Sequence, residues 1–362
     1  MILRAMSRIA RTALLTLLTA APASLAGQSL TWATTATLYG DNTEFFTPYR
    51  VGETILGGQF RSTLRFRTGR RTAFELGAFG DHRSGDDEFL ETVKPIIRFQ
   101  YHSGPSTGVL GALFPERRHG FLEPLQVTTL ELTRPIEYGL QWIERRRLWD
   151  GEVYLNWQKL NLESQREAFD YGWVIRVRPV RFLSLESQLH GLHRGGQLFN
   201  ANVPVTNNVA SGLGLVLSDS LRWLGRSSLG AYRLRSSGNV DPAAPSGRPG
   251  KGHGWYLRAA VAPRGWFELF SISWWGRDFL SQDGDNNYNS VGADPAFYRS
   301  QRKYWELGLL RRTTIEGDVT FDGEFRLHRV DHLKSIALGK SRWEYSYRLV
   351  VRAPFEVILK GE

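Results

Sequence analysis

The most regular feature of the chain is an alternation of apolar and polar residues with a period of two. In residues 59–67 the apolar positions include Phe60 and Phe66, and the polar positions include Arg61 and Arg65. Such alternation is typical of β-strands whose two faces meet different surroundings. The same alternation recurs in four further stretches: 74–78, 152–158, 318–328 and 343–360.

The last of these stretches is also the longest. Apolar residues occupy the odd positions from Trp343 to Leu359, whereas even positions carry Arg348, Arg352 and other polar residues. Strands of soluble proteins usually run about 5–6 residues. Strands of about 9–11 residues or more, apolar on one face and polar on the other, are typical of transmembrane β-barrels.

Turn signals support a barrel, because a closed sheet needs short turns on one side and longer loops on the other. Short turn signals recur every 32–49 residues or so, as two strands and a loop require: 68–69, 103–105, 148–151, 178–179, 221–225, 263–265 and 311–313. Longer polar stretches lie between them, and we interpret 236–254 and 280–300 as mobile surface loops. Seven turns join fourteen strands, and the two terminal strands give an antiparallel barrel of about 16, within 14–18.

Composition excludes several other classes. Charged residues make up 23% of the 362, and no apolar run after the amino-terminal leader reaches 18 residues, which excludes a bundle of membrane helices. Aromatic residues make up 12%, too many for a disordered chain. Cysteine is absent, which excludes disulfides and thiolate metal sites.

The first 26 residues have the pattern of a secretory signal peptide. Arg4, Arg8 and Arg11 precede an apolar stretch, and Ser24 and Ala26 provide the small residues of a cleavage site. We therefore predict a signal peptide over 1–26 and one barrel domain over 27–362. Loss of the three arginines lowers the formal net charge from +10 to +7. Export argues against nucleic acid as a partner.

Taken together, the leader, the alternating strands, the rhythm of turns and loops, and tryptophans near strand ends resemble Gram-negative outer-membrane β-barrel proteins of the porin-like class. The resemblance covers the mature chain, but it is one of pattern and identifies no specific family. It implies a place in the bacterial outer membrane, with the membrane lipids and the barrel-assembly machinery as partners. Many such barrels end in Phe or Trp, whereas Phe355 is the last aromatic residue here.

If the apolar faces meet lipid, the polar faces line a lumen, and a 16-strand barrel is wide enough to hold water. Rings of charge in a pore set its ion preference. We therefore expect a channel or exporter for polar solutes, with the arginines favouring anionic ones. The predicted lumen-lining residues are Arg61, Arg65, Arg67, Glu75, Arg98, Glu152, Arg176, Arg258, Glu324, Arg326, Arg348 and Arg352.

Two alternatives stay open for this lumen. Its arginines and acids could pair and stiffen a plugged barrel, which would act as a structural or adhesive protein through its loops. The segment 114–121 carries Arg117, Arg118 and His119. It could fold inward as a constriction or form an ordinary exposed loop.

Catalysis is the least supported function at this level, so we predict no enzyme, no cofactor and no metal. Ser184 and His190 share one face of a strand but lie about 20 Å apart, too far for a hydrogen bond. A catalytic triad across neighbouring strands is not excluded, although nothing in the sequence marks one. A lipid hydrolase that uses a lumen histidine such as His190 is the third hypothesis.

Overall fold

The computed structural model describes residues 28–199, 204–221, 225–238, 250–263, 267–294, 297–330 and 343–361. The predicted signal peptide 1–26 lies outside the described residues. Among those described, no helix is long and apolar enough to cross a membrane.

Sixteen strands account for almost all of the regular structure. They are β1 (Leu30–Glu44), β2 (Glu53–Arg67), β3 (Thr72–Arg83), β4 (Thr92–Ser103), β5 (Ser106–Ala112), β6 (Tyr138–Arg145), β7 (Trp149–Lys159), β8 (Glu167–Val180), β9 (Leu183–Gly195), β10 (Thr206–Leu221), β11 (Gly225–Gly238), β12 (Lys251–Ala262), β13 (Glu268–Arg277), β14 (Gln301–Glu316), β15 (Val319–Val330) and β16 (Glu344–Lys360). A short 3₁₀ helix (Glu116–Gly120) and helix α1 (Leu130–Thr133) lie between β5 and β6.

The strands form one closed antiparallel barrel in sequence order, as the alternation predicted. Each strand pairs with its neighbours in the chain, and β1 closes the barrel against β16 with Leu30 opposite Lys360. Closure leaves no unpaired edge, which a sheet in lipid requires because hydrocarbon cannot satisfy free backbone groups. The predicted fold class and strand number are confirmed.

The period of two sets which side chains face outward. On β1 Leu38 is exposed while its neighbour Tyr39 is buried, and on β12 Trp255 is exposed while Tyr256 is buried. The outer face of the barrel is therefore apolar, and the inner face is polar and aromatic. This is the arrangement that a lipid-facing wall needs.

Two connecting segments occupy the interior of the barrel. Residues 113–137 contact opposite walls: Leu122 N–H donates to Gln188 on β9, and the Leu132 carbonyl accepts from Gln59 on β2. Residues 278–300 join them, since Val127 N–H donates to the Asp283 carbonyl at 2.7 Å. The interior is thus packed with protein where a bare 16-strand barrel would hold water.

This packing corrects the prediction that 280–300 is a mobile surface loop. Asn287 and Tyr288 are 0% exposed. Tyr288 packs edge-on against Trp274 and Tyr304 of the wall. The polar composition of the segment misled the prediction, because Asn289 bonds to Ser281 inside the barrel and Arg302 of the wall donates to the Asn287 carbonyl.

Some predicted turns are also misplaced: residues 149–151 belong to β7, and 178–179 lie inside β8, which continues to Val180. The chain does not turn at 311–313, because β14 continues to Glu316 and the turn lies at Gly317 and Asp318. Gly317 has a φ of +53°, a left-handed conformation that glycine adopts without strain. The shift changes which residues of β14 and β15 lie opposite one another.

Candidate functional site

The predicted lumen arginines lie on the inner face of the wall, and ion pairs balance most of their charge. The pairs within 4 Å are Arg65 with Glu75 and Glu356, Arg98 with Glu75, Arg176 with Asp150 and Glu186, Arg258 with Glu268, Arg326 with Glu123, Glu306 and Glu324, Arg348 with Asp41 and Glu131, and Arg352 with Glu131 and Asp322. Arg61 is half-buried on the same face as Arg65, whereas Arg67 is exposed at the end of β2. The interior therefore carries interleaved charges of both signs.

The segment with Arg118 and His119 folds inward rather than outward. Arg118 and His119 have φ values of +50° and +60°, and Gly120 follows at +77°. Left-handed φ in two non-glycine residues costs free energy, so surrounding contacts must hold this turn. The side chain of Arg117 lies outside the described part of the structure.

Buried charges hold the turn in place. The Arg118 guanidinium lies 2.5 Å from a Glu137 oxygen. The His119 ring bonds to Glu137 through Nε2 at 2.8 Å and to Glu152 through Nδ1, and it stacks on Tyr154. Burial lowers the pKa of His119, but the hydrogen bonds with the two glutamates outweigh it and raise the pKa to about 9.

A serine and a histidine meet on neighbouring strands β16 and β15. Ser346 Oγ lies 2.8 Å from His328 Nε2, and His328 Nδ1 lies 2.5 Å from the Tyr304 hydroxyl on β14. The Tyr304 hydroxyl in turn donates to Glu306 at 2.7 Å. The four side chains form one chain of hydrogen bonds that ends on a carboxylate.

The direction of these bonds fixes the state of the histidine. Because the Tyr304 hydroxyl gives its proton to Glu306, its oxygen accepts from His328 Nδ1–H. Nε2 is then the unprotonated nitrogen and accepts from the Ser346 hydroxyl. A serine that donates to a histidine, with an acid behind the histidine, is the arrangement that activates a serine as a nucleophile.

The pair opens on a charged cavity of about 20 Å³, which is room for a water molecule. Its lining includes Arg50, Arg326 and Arg348 beside His328 and Ser346. Ser346 is half-buried whereas His328 is 2% exposed. The serine is therefore the more accessible end of the hydrogen-bond chain, and the three arginines line the same cavity.

Sequence reasoning missed this pair because the residues are 18 positions apart and share no local motif. The misplaced turn at 311–313 would also have paired Glu306 with the wrong part of β15. In the structure Glu306 lies opposite His328, and Arg326 lies opposite Ser346. His190, which the hydrolase hypothesis singled out, lies elsewhere on the wall, on β9 between Asp170 and Asp283.

Comparison with known proteins identifies the family of the chain. A family model described as "Lipid A 3'-O-deacylase-type" matches residues 22–361. No curated protein matches the chain. The prediction that the chain is not an enzyme is therefore wrong, because the family that it matches is one of enzymes.

Solved structures with a similar fold are outer-membrane proteins. OmpT of Vibrio cholerae has a TM-score of 0.51 at 5% identity, and the match covers 91% of this chain and all of that one. OprD of Pseudomonas aeruginosa has a TM-score of 0.49 at 11% identity, with 92% and 96% of the two chains covered. At 5% identity the likeness to the Vibrio cholerae protein concerns the fold alone, and it agrees with the predicted outer-membrane barrel class.

Proposed function

This chain belongs to the lipid A 3'-O-deacylase-type family, and we propose on that basis that it hydrolyses an O-acyl ester of lipid A at Ser346 and His328. The observation that carries the proposal is the 2.8 Å contact between Ser346 Oγ and His328 Nε2 on the inner wall. Ester hydrolysis needs an activated nucleophile, and this pair provides one.

The position of the pair suits a substrate that approaches from outside the cell. The start of β1 and the end of β16 lie at one rim of the barrel, where Leu30 is paired with Lys360. In bacterial barrels this is the periplasmic rim, with the longer loops on the other side. Ser346 is the third residue of β16 and His328 the third from the end of β15, so both lie near the extracellular rim.

The reaction follows from the tautomer of His328. Ser346 Oγ attacks the ester carbonyl carbon while His328 Nε2 takes the hydroxyl proton. The tetrahedral intermediate collapses, the bond between the acyl carbon and the sugar oxygen breaks, and the leaving sugar alkoxide takes that proton from Nε2. Water then gives a proton to His328 Nε2, and its oxygen attacks the acyl carbon. The bond from the acyl carbon to Ser346 Oγ breaks, Oγ takes the proton back from Nε2, and the fatty acid is released.

Neighbouring groups support both charged species in this sequence. The imidazolium that forms on His328 is stabilised through Tyr304 by Glu306, much as an acid stabilises the histidine of a triad. The tetrahedral oxyanion carries negative charge, and Arg348, two residues along β16, lines the same cavity. A preorganised cation near a developing oxyanion lowers the barrier.

The test is release of fatty acid from purified lipid A by the protein in detergent micelles, measured by mass spectrometry. We expect Ser346→Ala and His328→Gln to lose activity by roughly 10⁴-fold or more, because a nucleophile and its base act as a unit. Ser273→Ala, on the outward face of β13, and His193→Gln are matched controls that should keep full activity.

Two results would contradict the proposal in different ways. No release by the unaltered protein would contradict deacylation itself. Release that survives in Ser346→Ala would keep the activity but move it away from this site. Circular dichroism of each variant in the same micelles verifies that the barrel has formed.

Transport of polar solutes is the function that the sequence first suggested, and we propose a plugged barrel in its place. The proposal rests on residues 113–137 and 278–300, which span the interior, and on the pairing of the lumen arginines with acids. A solute could pass only if these segments moved. The arginines would then stabilise the packed interior through ion pairs and would not form a ring that selects ions.

A further inference from the structure

A second group of side chains faces the interior from strands β8 and β9. His190 Nε2 lies 3.7 Å from Asp170 Oδ2 and 3.4 Å from Asp283 Oδ2, and the three atoms lie within 4.8 Å of one another. His190 is 1% exposed and Asp170 is 0% exposed. None of the three atoms has a hydrogen-bond partner. Three buried polar atoms that face one another without partners are costly unless something binds between them.

The other carboxylate oxygens are already held by neighbouring side chains. Asp170 Oδ1 accepts from Asn156 at 2.7 Å and from Gln158 at 2.6 Å. Asp283 Oδ1 lies 2.8 Å from the Arg134 guanidinium. These contacts fix both carboxylates so that each turns its second oxygen toward His190. In metal sites, side chains that hydrogen-bond to the ligands fix the orientation of those ligands in the same manner.

The spacing suits a metal ion better than a direct hydrogen bond. A hydrogen bond from an imidazole to a carboxylate is about 2.7–2.9 Å long, shorter than either contact here. A tetrahedral zinc ion about 2.0–2.2 Å from each ligand sets neighbouring ligand atoms about 3.4 Å apart. The two distances from His190 Nε2 are close to this value.

We propose that Asp170, His190 and Asp283 bind a divalent transition-metal ion of the zinc type, with a fourth position open to water. An imidazole nitrogen favours zinc over calcium or magnesium, which prefer oxygen ligands. Two carboxylates and a neutral imidazole balance the charge of the ion. This site is separate from the Ser346 pair and does not depend on the proposed deacylation.

The metal would cross-link the inner segment to the wall. Asp170 and His190 lie on adjacent strands β8 and β9, whereas Asp283 lies on the interior segment 278–300. An ion bound to all three would fix that segment against the barrel. Binding to the folded state alone raises thermal stability, so the ion should raise the unfolding temperature.

The experiment measures metal content in untagged, folded protein that has been stripped with EDTA and dialysed against Zn²⁺. We expect one zinc per chain by mass spectrometry in the unaltered protein and in the control His193→Gln. We expect less than a tenth of that in Asp170→Asn and His190→Gln. The unfolding temperature of the unaltered protein should rise on zinc addition, and that of His190→Gln should not.

Asp283→Asn keeps the test interpretable if the variants on strands β8 and β9 do not fold. It alters only the interior segment, so the barrel can close without it, as circular dichroism would verify. It too should lose the zinc, and the Co²⁺-loaded protein should lose its visible absorption bands. Absence of zinc in the unaltered protein, or one zinc retained in His190→Gln, would overturn the proposal.

Discussion

The stability of the barrel should depend on pH through His119, whose ring is buried between Glu137 of the interior segment 113–137 and the wall residues Glu152 and Tyr154. Its pKa is about 9 in the folded protein, against 6.5 for an ordinary histidine, because the bonds with Glu137 and Glu152 outweigh the effect of burial. A raised folded-state pKa means that the folded state binds the proton more tightly than the unfolded state. The stabilisation is therefore complete below pH 6.5 and is lost as pH rises through 9.

The magnitude follows from the two pKa values. Each tenfold difference in proton affinity is worth about 1.4 kcal/mol. The rise from 6.5 to about 9 thus corresponds to about 3 kcal/mol of unfolding free energy. Solvent screening is small, because the side chain of His119 is 0% exposed. The stacked ring of Tyr154 at 3.8 Å also favours the charged imidazole.

The assay is equilibrium unfolding in urea of protein folded into lipid vesicles, followed by tryptophan fluorescence at pH 6 and pH 10. Other groups titrate in this range, so the quantity to compare is the difference between the unaltered protein and His119→Gln. We expect that difference to fall by about 3 kcal/mol between the two pH values. His193→Gln, on the outward face of β9, should show no such change. A difference that is the same at pH 6 and pH 10 would refute the reasoning.

Three further results are expected. Glu137→Gln should lower the unfolding free energy by about 3–5 kcal/mol, measured by urea unfolding, because it leaves Arg118 buried without its carboxylate; an unchanged midpoint would contradict this. Gly254→Ala should destabilise the barrel by about 1–3 kcal/mol, because its Cβ would lie 2.1 Å from the Trp274 ring, whereas Gly361→Ala, with open space around it, should have no effect. In planar bilayers the unaltered protein should give no stable conductance steps, and steady open-channel currents would argue against a plugged interior.

The barrel was predictable because its determinant is local. The alternation of Leu38 with Tyr39, or of Trp255 with Tyr256, is visible in any short window of sequence, and lipid on one side enforces it along every strand. The sheet must then close into a barrel, because hydrocarbon cannot form hydrogen bonds with the backbone groups of an open edge. The inward faces of Arg98 and Arg326 follow from the same period.

The contents of the barrel were not predictable in this way. Residues 280–300 are polar, and a polar segment between strands suggests a loop in water. Asn289 shows why the inference fails, because it bonds to the backbone of Ser281 in both directions and so satisfies its amide inside the protein. Polarity alone cannot distinguish a group solvated by water from one solvated by its own chain.

The candidate site depends on register, and the turn misplaced at 311–313 hid the contacts of Tyr304 and Glu306 with His328. A turn at 311–313 would pair Glu306 with the start of β15, about ten residues from His328. The turn at Gly317 instead sets Glu306 opposite His328 and brings Tyr304 within reach of the ring. Side chains alternate between the two faces of a strand. An error in register therefore changes which side chains of neighbouring strands are predicted to be in contact. The chain of hydrogen bonds from Ser346 through His328 and Tyr304 to Glu306 is therefore a property of three strands in register.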